Sequence, residues 1–315
     1  MLPRQPVLDP AVAYPTIATL RAALDAGDWP AARAVIDTAA PVERTLLLRA
    51  CADREGTEEF LRGVLTADPA DSAAAVLLAQ RLMAVSWAAR VRRKRGTPFR
   101  EQLVEAESIL VASVSRTPED LAAWTARLTS ARGLELGLPE ARRRYDRLAE
   151  LDACHLPAQS ELLQQLTPRW GGTWPDAHTF ARAATDAAPL GSHNAVLIAE
   201  AHLEQALGEG GGTASGARRH LASTPVLAEV SEAAARSVQH PEFRRTAGWV
   251  QVLNTFAMTF CLAGELRTAK TLFDALDGLG TEYPWHYLGD SAAGVIRSYR
   301  IRTVFTRGAP VGGDR

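Results

Sequence analysis

The chain has 315 residues, of which 47% are apolar and 23% charged, and its formal net charge is −1. That balance suits a soluble globular protein with a sizeable core, and it lacks the basic excess that neutralising nucleic-acid phosphates requires. No stretch approaches the roughly 18 uninterrupted apolar residues of a membrane span, so neither nucleic acid nor membrane is an expected partner.

The opening, MLPRQPVLDPAVAYP, has no apolar run behind a basic region, and the expected location is the cytoplasm. Only Lys94 and Lys270 stand among 35 basic residues, a bias toward arginine that points to a GC-rich bacterial genome. Residues 1–15 read as an extended arm, 16–305 as one continuous helical array and 306–315 as a disordered tail.

The array is announced by a recurring joint. GDWPAAR at 27–33 and GTWPDAH at 172–178 share Gly-x-Trp-Pro-x-Ala followed by a basic residue or histidine. GTASGAR from Gly212 and GELRTAK from Gly264 keep the glycine, the alanine five positions on and the basic residue after it, and GLPEAR from Gly137 is one residue shorter. Weaker copies begin at Gly56 and Gly96, giving successive spacings of 29, 40, 41, 35, 40 and 52 residues. Such a period predicts stacked helical hairpins. Each joint supplies what a helix-to-helix turn needs. Glycine closes one helix in the left-handed region, Asp28 or Thr173 caps the next, and proline fits the first turn, where no amide hydrogen is used. The alanine permits close approach of the paired helices.

Further along, WAARVRRKRG at 87–96 is the one charge run, with Arg92, Arg93, Lys94 and Arg95 at a predicted helix end. Cations there complement the helix dipole, and they also offer a surface to an acidic protein partner. Leu121, Trp124, Leu128 and Ala131 form one helical stripe ending near Gly133, with Arg127 on the other face. Cys51, Cys154 and Cys261 have no CxxC spacing, which predicts buried reduced thiols, and the adjacency of Cys154 to His155 is no evidence of a thiol site.

The run RWGGTWPDAHTFARAATDAAPLGSHNAVLIAEAHLEQ, 169–205, carries the pattern W-G-G…F-A-R…A-P-x-G-S…A-H-x-E. With it the chain resembles a bacterial (actinobacterial-type) TPR-like helical domain of unknown function, over 130–280 at most. The positions that match are Trp170, Phe180, Arg182, His202 and Glu204. The resemblance implies an all-α, TPR-like solenoid and no particular reaction.

On the predicted helix 194–207, His202 falls on the apolar arc and faces inward, where Arg182 or Glu204 would be its partner in a polar network. His178 is expected to be exposed. GEGGGTASG, 208–216, has no GK[ST] and follows a helix, so it reads as a mobile turn rather than a phosphate loop. WVQVLNTFAMTFCL, 249–262, is apolar nearly all round and predicts a helix buried between neighbours. Residues 290–305 read as a closing helix with Ile296 and Tyr299 inward.

Two function classes follow. The first is a protein-interaction scaffold that binds a peptide or protein in a helical groove through Arg127, Asn194, Gln251 and Asn254, aided by the basic run. The alternative is an enzyme or small-molecule binder with a pocket near Trp170, Trp174, Arg182, His202 and Glu204. No cofactor is expected, a homo-oligomer is a further possible assembly, and the seven histidines contain no HxxxH or HExxH pair that would ligate a metal.

Overall fold

The computed structural model describes residues 5–91 and 99–305. Arg92, Arg93, Lys94, Arg95, the joint at Gly96 and the tail 306–315 lie outside the described residues. Among the described residues there are sixteen α-helices and no strand, apart from one isolated parallel bridge between Val7 and Leu279. No described helix is long and apolar enough to cross a membrane. Where the sequence reads one array over 16–305, the chain divides into two compact units. The first is Pro10–Ala188, and the second combines the described residues of 1–9 with those from Pro189 onward.

The first unit begins with a short 3-10 turn, Pro10–Val12, and holds ten α-helices. These are α1 (Pro15–Asp25), α2 (Trp29–Thr38), α3 (Pro41–Ala50), α4 (Glu58–Ala67), α5 (Ser72–Val91), α6 (Phe99–Arg116), α7 (Leu121–Gly133), α8 (Leu138–Ala149), α9 (Leu156–Gln165) and α10 (Trp174–Ala187). Antiparallel neighbours pack as α1 with α2, α5 with α6, α7 with α8 and α9 with α10. α3 departs from a nearest-neighbour stack, because it packs on α7 and α9 as well as on α1 and α5.

The second unit holds α11 (Val196–Glu209), α12 (Ala214–Leu221), α13 (Thr224–Arg236), α14 (Trp249–Ala263), α15 (Leu266–Leu276) and α16 (Ala292–Phe305). α14 is buried along its whole length except at Gln251, as its all-round apolar pattern predicts. Trp285 is fully buried against Phe273 and Tyr299, and its indole Nε1–H donates to Asn254 Oδ1 at 2.8 Å. Ile296 and Tyr299 face inward from α16.

The joints explain the helix starts. α2, α4, α8, α10, α12 and α15 all begin one or two residues after the expected glycines at 27, 56, 137, 172, 212 and 264. Asp28 and Thr173 accept the cap bonds from Ala31 N–H and Asp176 N–H, with proline in the first turn of both helices. The alanines of the five clear copies, Ala32, Ala141, Ala177, Ala217 and Ala269, are all buried, as is Leu61 at the equivalent place after Gly56. At the second Trp joint the left-handed residue is Gly171, not Gly172. Gly172 is required sterically, since a Cβ there would lie 2.1 Å from the Leu166 carbonyl oxygen. In 208–216 the glycines are likewise a packing device: a Cβ on Gly216 would lie 2.2 Å from the Gly210 oxygen, and Thr213 caps α12 by accepting from Gly216 N–H.

Two expectations need correction. Arg127 does not stand on an open groove face opposite the apolar stripe, because α7 is buried almost all round and the arginine lies inside. His178 is buried, since it takes the place after the buried alanine that Arg33 holds in the first Trp joint. There, Trp29 Nε1–H and the Arg33 guanidinium both donate to Asp71, at 2.7 and 2.8 Å, and Asp71 in turn caps α5 through Ala74 N–H.

Candidate functional site

The first unit contains two carboxylates, the half-buried Glu107 and the buried Glu161, each shared by two arginines. Glu107 of α6 accepts from Arg127 of α7 at 2.9 Å and from Arg144 of α8 at 2.9 Å, with Ser130 on its other oxygen. Arg144 also donates to Glu140 and to the Arg127 carbonyl, which satisfies a guanidinium that is 2% exposed as a residue. Burial lowers the Arg127 pKa, against the pull of Glu107. Glu161 of α9 lies between Arg49 of α3 at 2.7 Å and Arg132 of α7 at 2.8 Å. Burial works against its charge, yet Arg132 and Arg49 hold its carboxyl at about 2.

Arg132 leads to the surface. With Glu135, Gly137, Gln165, Arg169 and Trp170 it lines a cavity of about 410 Å³ where the turn from α7 to α8 meets the end of α9 and the 3-10 turn Pro168–Trp170. Trp170 is fixed edge-on to Trp87, with ring centres 6.4 Å apart, and the guanidinium groups of Arg132 and Arg169 stack on it at 5.9 and 5.5 Å. Gln165 donates Nε2–H to the Trp170 carbonyl at 2.9 Å and leaves its enclosed Oε1 without a donor. Glu135 stands in the left-handed region at φ 58° and closes α7, with its own N–H donating to the Arg132 carbonyl and Leu136 N–H to the Ala131 carbonyl. Among the lining residues the two guanidinium groups of Arg132 and Arg169 outnumber the one carboxylate of Glu135, so the wall carries a surplus positive charge.

A second polar cluster, in the other unit, contains His202. Its Nδ1 lies 3.0 Å from His220 Nε2 and its Nε2 lies 3.1 Å from Glu229 Oε2, which links α11, α12 and α13. The carboxylate only accepts, so a neutral His202 donates through Nε2 and accepts His220 Nε2–H at Nδ1. The predicted inward-facing histidine is present at 3% exposure, and its ring nitrogens meet His220 and Glu229. Glu204 accepts from Tyr287 OH at 2.9 Å, and Arg182 is exposed on α10.

The residue types of a nucleophilic triad also meet, at Thr45, His155 and Asp152. Thr45 Oγ1 is 3.1 Å from His155 Nε2, and His155 Nδ1 is 3.6 Å from Asp152. Both Thr45 and His155 are fully enclosed, and the threonine donates its proton to the Pro41 carbonyl. Burial pushes the imidazole down to about 4, far below the value near 7 that suits a general base. Burial, with Asp152 beside it, raises the half-buried Cys154 thiol, the reverse of what a thiolate nucleophile needs. Cys51 and Cys261 are buried, as expected, and burial pushes the Cys51 thiol up to about 12.

Of the groove residues, Arg127 is committed to Glu107, and Asn254 is fully buried between the Val250 carbonyl and Trp285, so neither presents a polar group to a partner. Asn194 is buried ahead of α11, and Gln251 is exposed in the first turn of α14. Trp170 does line a cavity, and Trp174 is half-buried at the start of α10. His202 and Glu204 belong to the second unit, whereas Trp170, Trp174 and Arg182 belong to the first. Arg132, Glu135, Gln165 and Arg169 were missed by sequence reasoning. Only Arg169, beside the WGG joint, carried a signal. Among the described residues, no group of three His, Cys, Asp or Glu side chains is placed to hold a metal ion. Comparison with protein-family models gives no match, and no curated protein matches the chain.

Proposed function

We propose that the protein is a TPR-like interaction module of the bacterial cytoplasm that holds a polypeptide partner through the cavity at the Trp170 joint. The observation that carries this reading is the cavity wall itself, where two arginines stacked on a fixed tryptophan leave a surplus positive charge at the surface. Arg127 and Asn254 are committed to Glu107 and Trp285 inside the fold, so recognition moves from the helix faces to a joint. Stacking holds each guanidinium plane while leaving its in-plane N–H groups available to a carboxylate.

The small-molecule reading shares this cavity through Trp170, and one experiment separates the two. The parent protein and an Arg169→Glu/Trp170→Ala variant are used to capture proteins from the source organism. The expected result is a protein retained by the parent and lost by the variant. Identical captured sets, with a small molecule co-purifying only with the parent, would instead establish a metabolite site.

A further inference from the structure

Resting on the reading of the Trp170 cavity as a polypeptide site, we infer that it takes the free carboxyl end of a chain rather than an internal acidic side chain or a phosphate. Its wall is not purely cationic. Arg132 and Arg169 supply donors, whereas the Glu135 carboxylate supplies acceptors. A sulfate offers only acceptor oxygens and a phosphate carries up to two negative charges at neutral pH, so the Glu135 carboxylate would repel either one. The group that fits carries a carboxylate and an N–H close together. The last residue of a polypeptide has both on one Cα, so its carboxylate meets Arg169 and Arg132 while its amide N–H turns toward the acceptor side. An Asp or Glu side chain carries its carboxylate on a flexible stem, away from any backbone N–H. The size agrees: about 410 Å³ lies near the lower end of ligand pockets, roughly 300 to 1,000 Å³, enough for a chain end but not for a helix about 10 Å across. The terminal side chain lies against Trp170, which Trp87 keeps in place.

Four probes test this in 1H–15N spectra of the whole protein, read at the Trp170 indole N–H signal, which is assigned by its loss in Trp170→Phe. They are acetyl-Gly-Gly-Leu with a free carboxyl end, the same peptide as its C-terminal amide, acetyl-Gly-Asp-Gly amide and inorganic phosphate. The expected result is a saturable shift with the free acid and at least about tenfold weaker binding of the amide, because the charge-assisted hydrogen bonds are gone. Arg169→Gln, at an exposed position, should keep the parent's melting temperature and lose a similar factor. Equal binding of acid and amide, preferential binding of phosphate, or no shift with any peptide would overturn the inference. Binding of the internal Asp peptide as tightly as the free acid would overturn the chain-end assignment and leave the polypeptide reading standing. That reading fails separately, in the capture experiment.

Discussion

In the first unit, Glu107 and Glu161 each sit between two arginines, whereas α14 at the centre of the second unit buries Phe256, Met258 and Phe260 and contains no charged residue at all. The difference lies in what each interior specifies. Apolar packing rewards volume and is indifferent to direction, while a guanidinium shared with a carboxylate fixes which residue of one helix stands opposite which residue of the next. Arg144, with Glu107, Glu140 and the Arg127 carbonyl around it, ties α6, α7 and α8 to one register. Such pairs cost desolvation to bury, so their contribution is more to uniqueness of packing than to stability.

Three measurements can break or sharpen that contrast. The largest effect is expected for Phe256→Ala in α14, where the lost transfer free energy and the remaining cavity should cost about 3 to 5 kcal/mol in urea unfolding. A loss below about 1 kcal/mol would mean that the second unit is not held by this helix. Next, Glu107→Ala strands Arg127 and Arg144 without their carboxylate and should cost about 3 kcal/mol. Replacing Glu107, Arg127 and Arg144 together with apolar residues of similar volume should recover most of that loss, whereas a triple variant as unstable as Glu107→Ala would show that the ions themselves stabilise the unit.

The smallest effect is a pH dependence. His155 titrates at about 4 in the folded protein against an ordinary 6.5, because burial disfavours its charge. Between those values the unfolded chain binds more protons, so stability is complete above about pH 6.5 and falls as pH drops toward 4. At pH 5 the loss due to this residue is roughly 2 kcal/mol relative to pH 7.5. His155→Gln should flatten that part of the profile. A parent protein equally stable at both pH values would contradict the burial of a neutral imidazole.

The apolar half of this contrast was legible in the sequence and the ionic half was not. WVQVLNTFAMTFCL announces a helix surrounded by protein, because apolar residues occupy every side of the turn. The joints were legible for a similar reason: glycine, cap, proline and alanine act within seven residues, so their physics is local. Glu107, Arg127 and Arg144 are separated by up to 37 positions, and nothing in a helical period distinguishes an arginine destined for a buried carboxylate from one bound for water. Arg127 was read as a groove residue for that reason. His178 was misread although its position after the buried alanine was visible, since the equivalent Arg33 reaches a polar partner that the sequence does not reveal. At the candidate site the WGG joint pointed to Trp170. Arg132 and Gln165 come from the ends of other helices and were brought there only by the fold.

The buried alanine four or five residues after the joint glycines at 27, 137, 172, 212 and 264 also bears on how such a chain changes over generations. The joint carries its own stop, its own cap and its own spacing rule, so a hairpin that is copied or deleted together with its joint brings along what it needs to pack at the same depth as its neighbours. The natural unit of gain or loss is a whole hairpin rather than a turn of helix. The glycines stand 29 to 52 residues apart, so what lies between one joint and the next is free to differ in helix and loop length while the joint keeps its short local pattern.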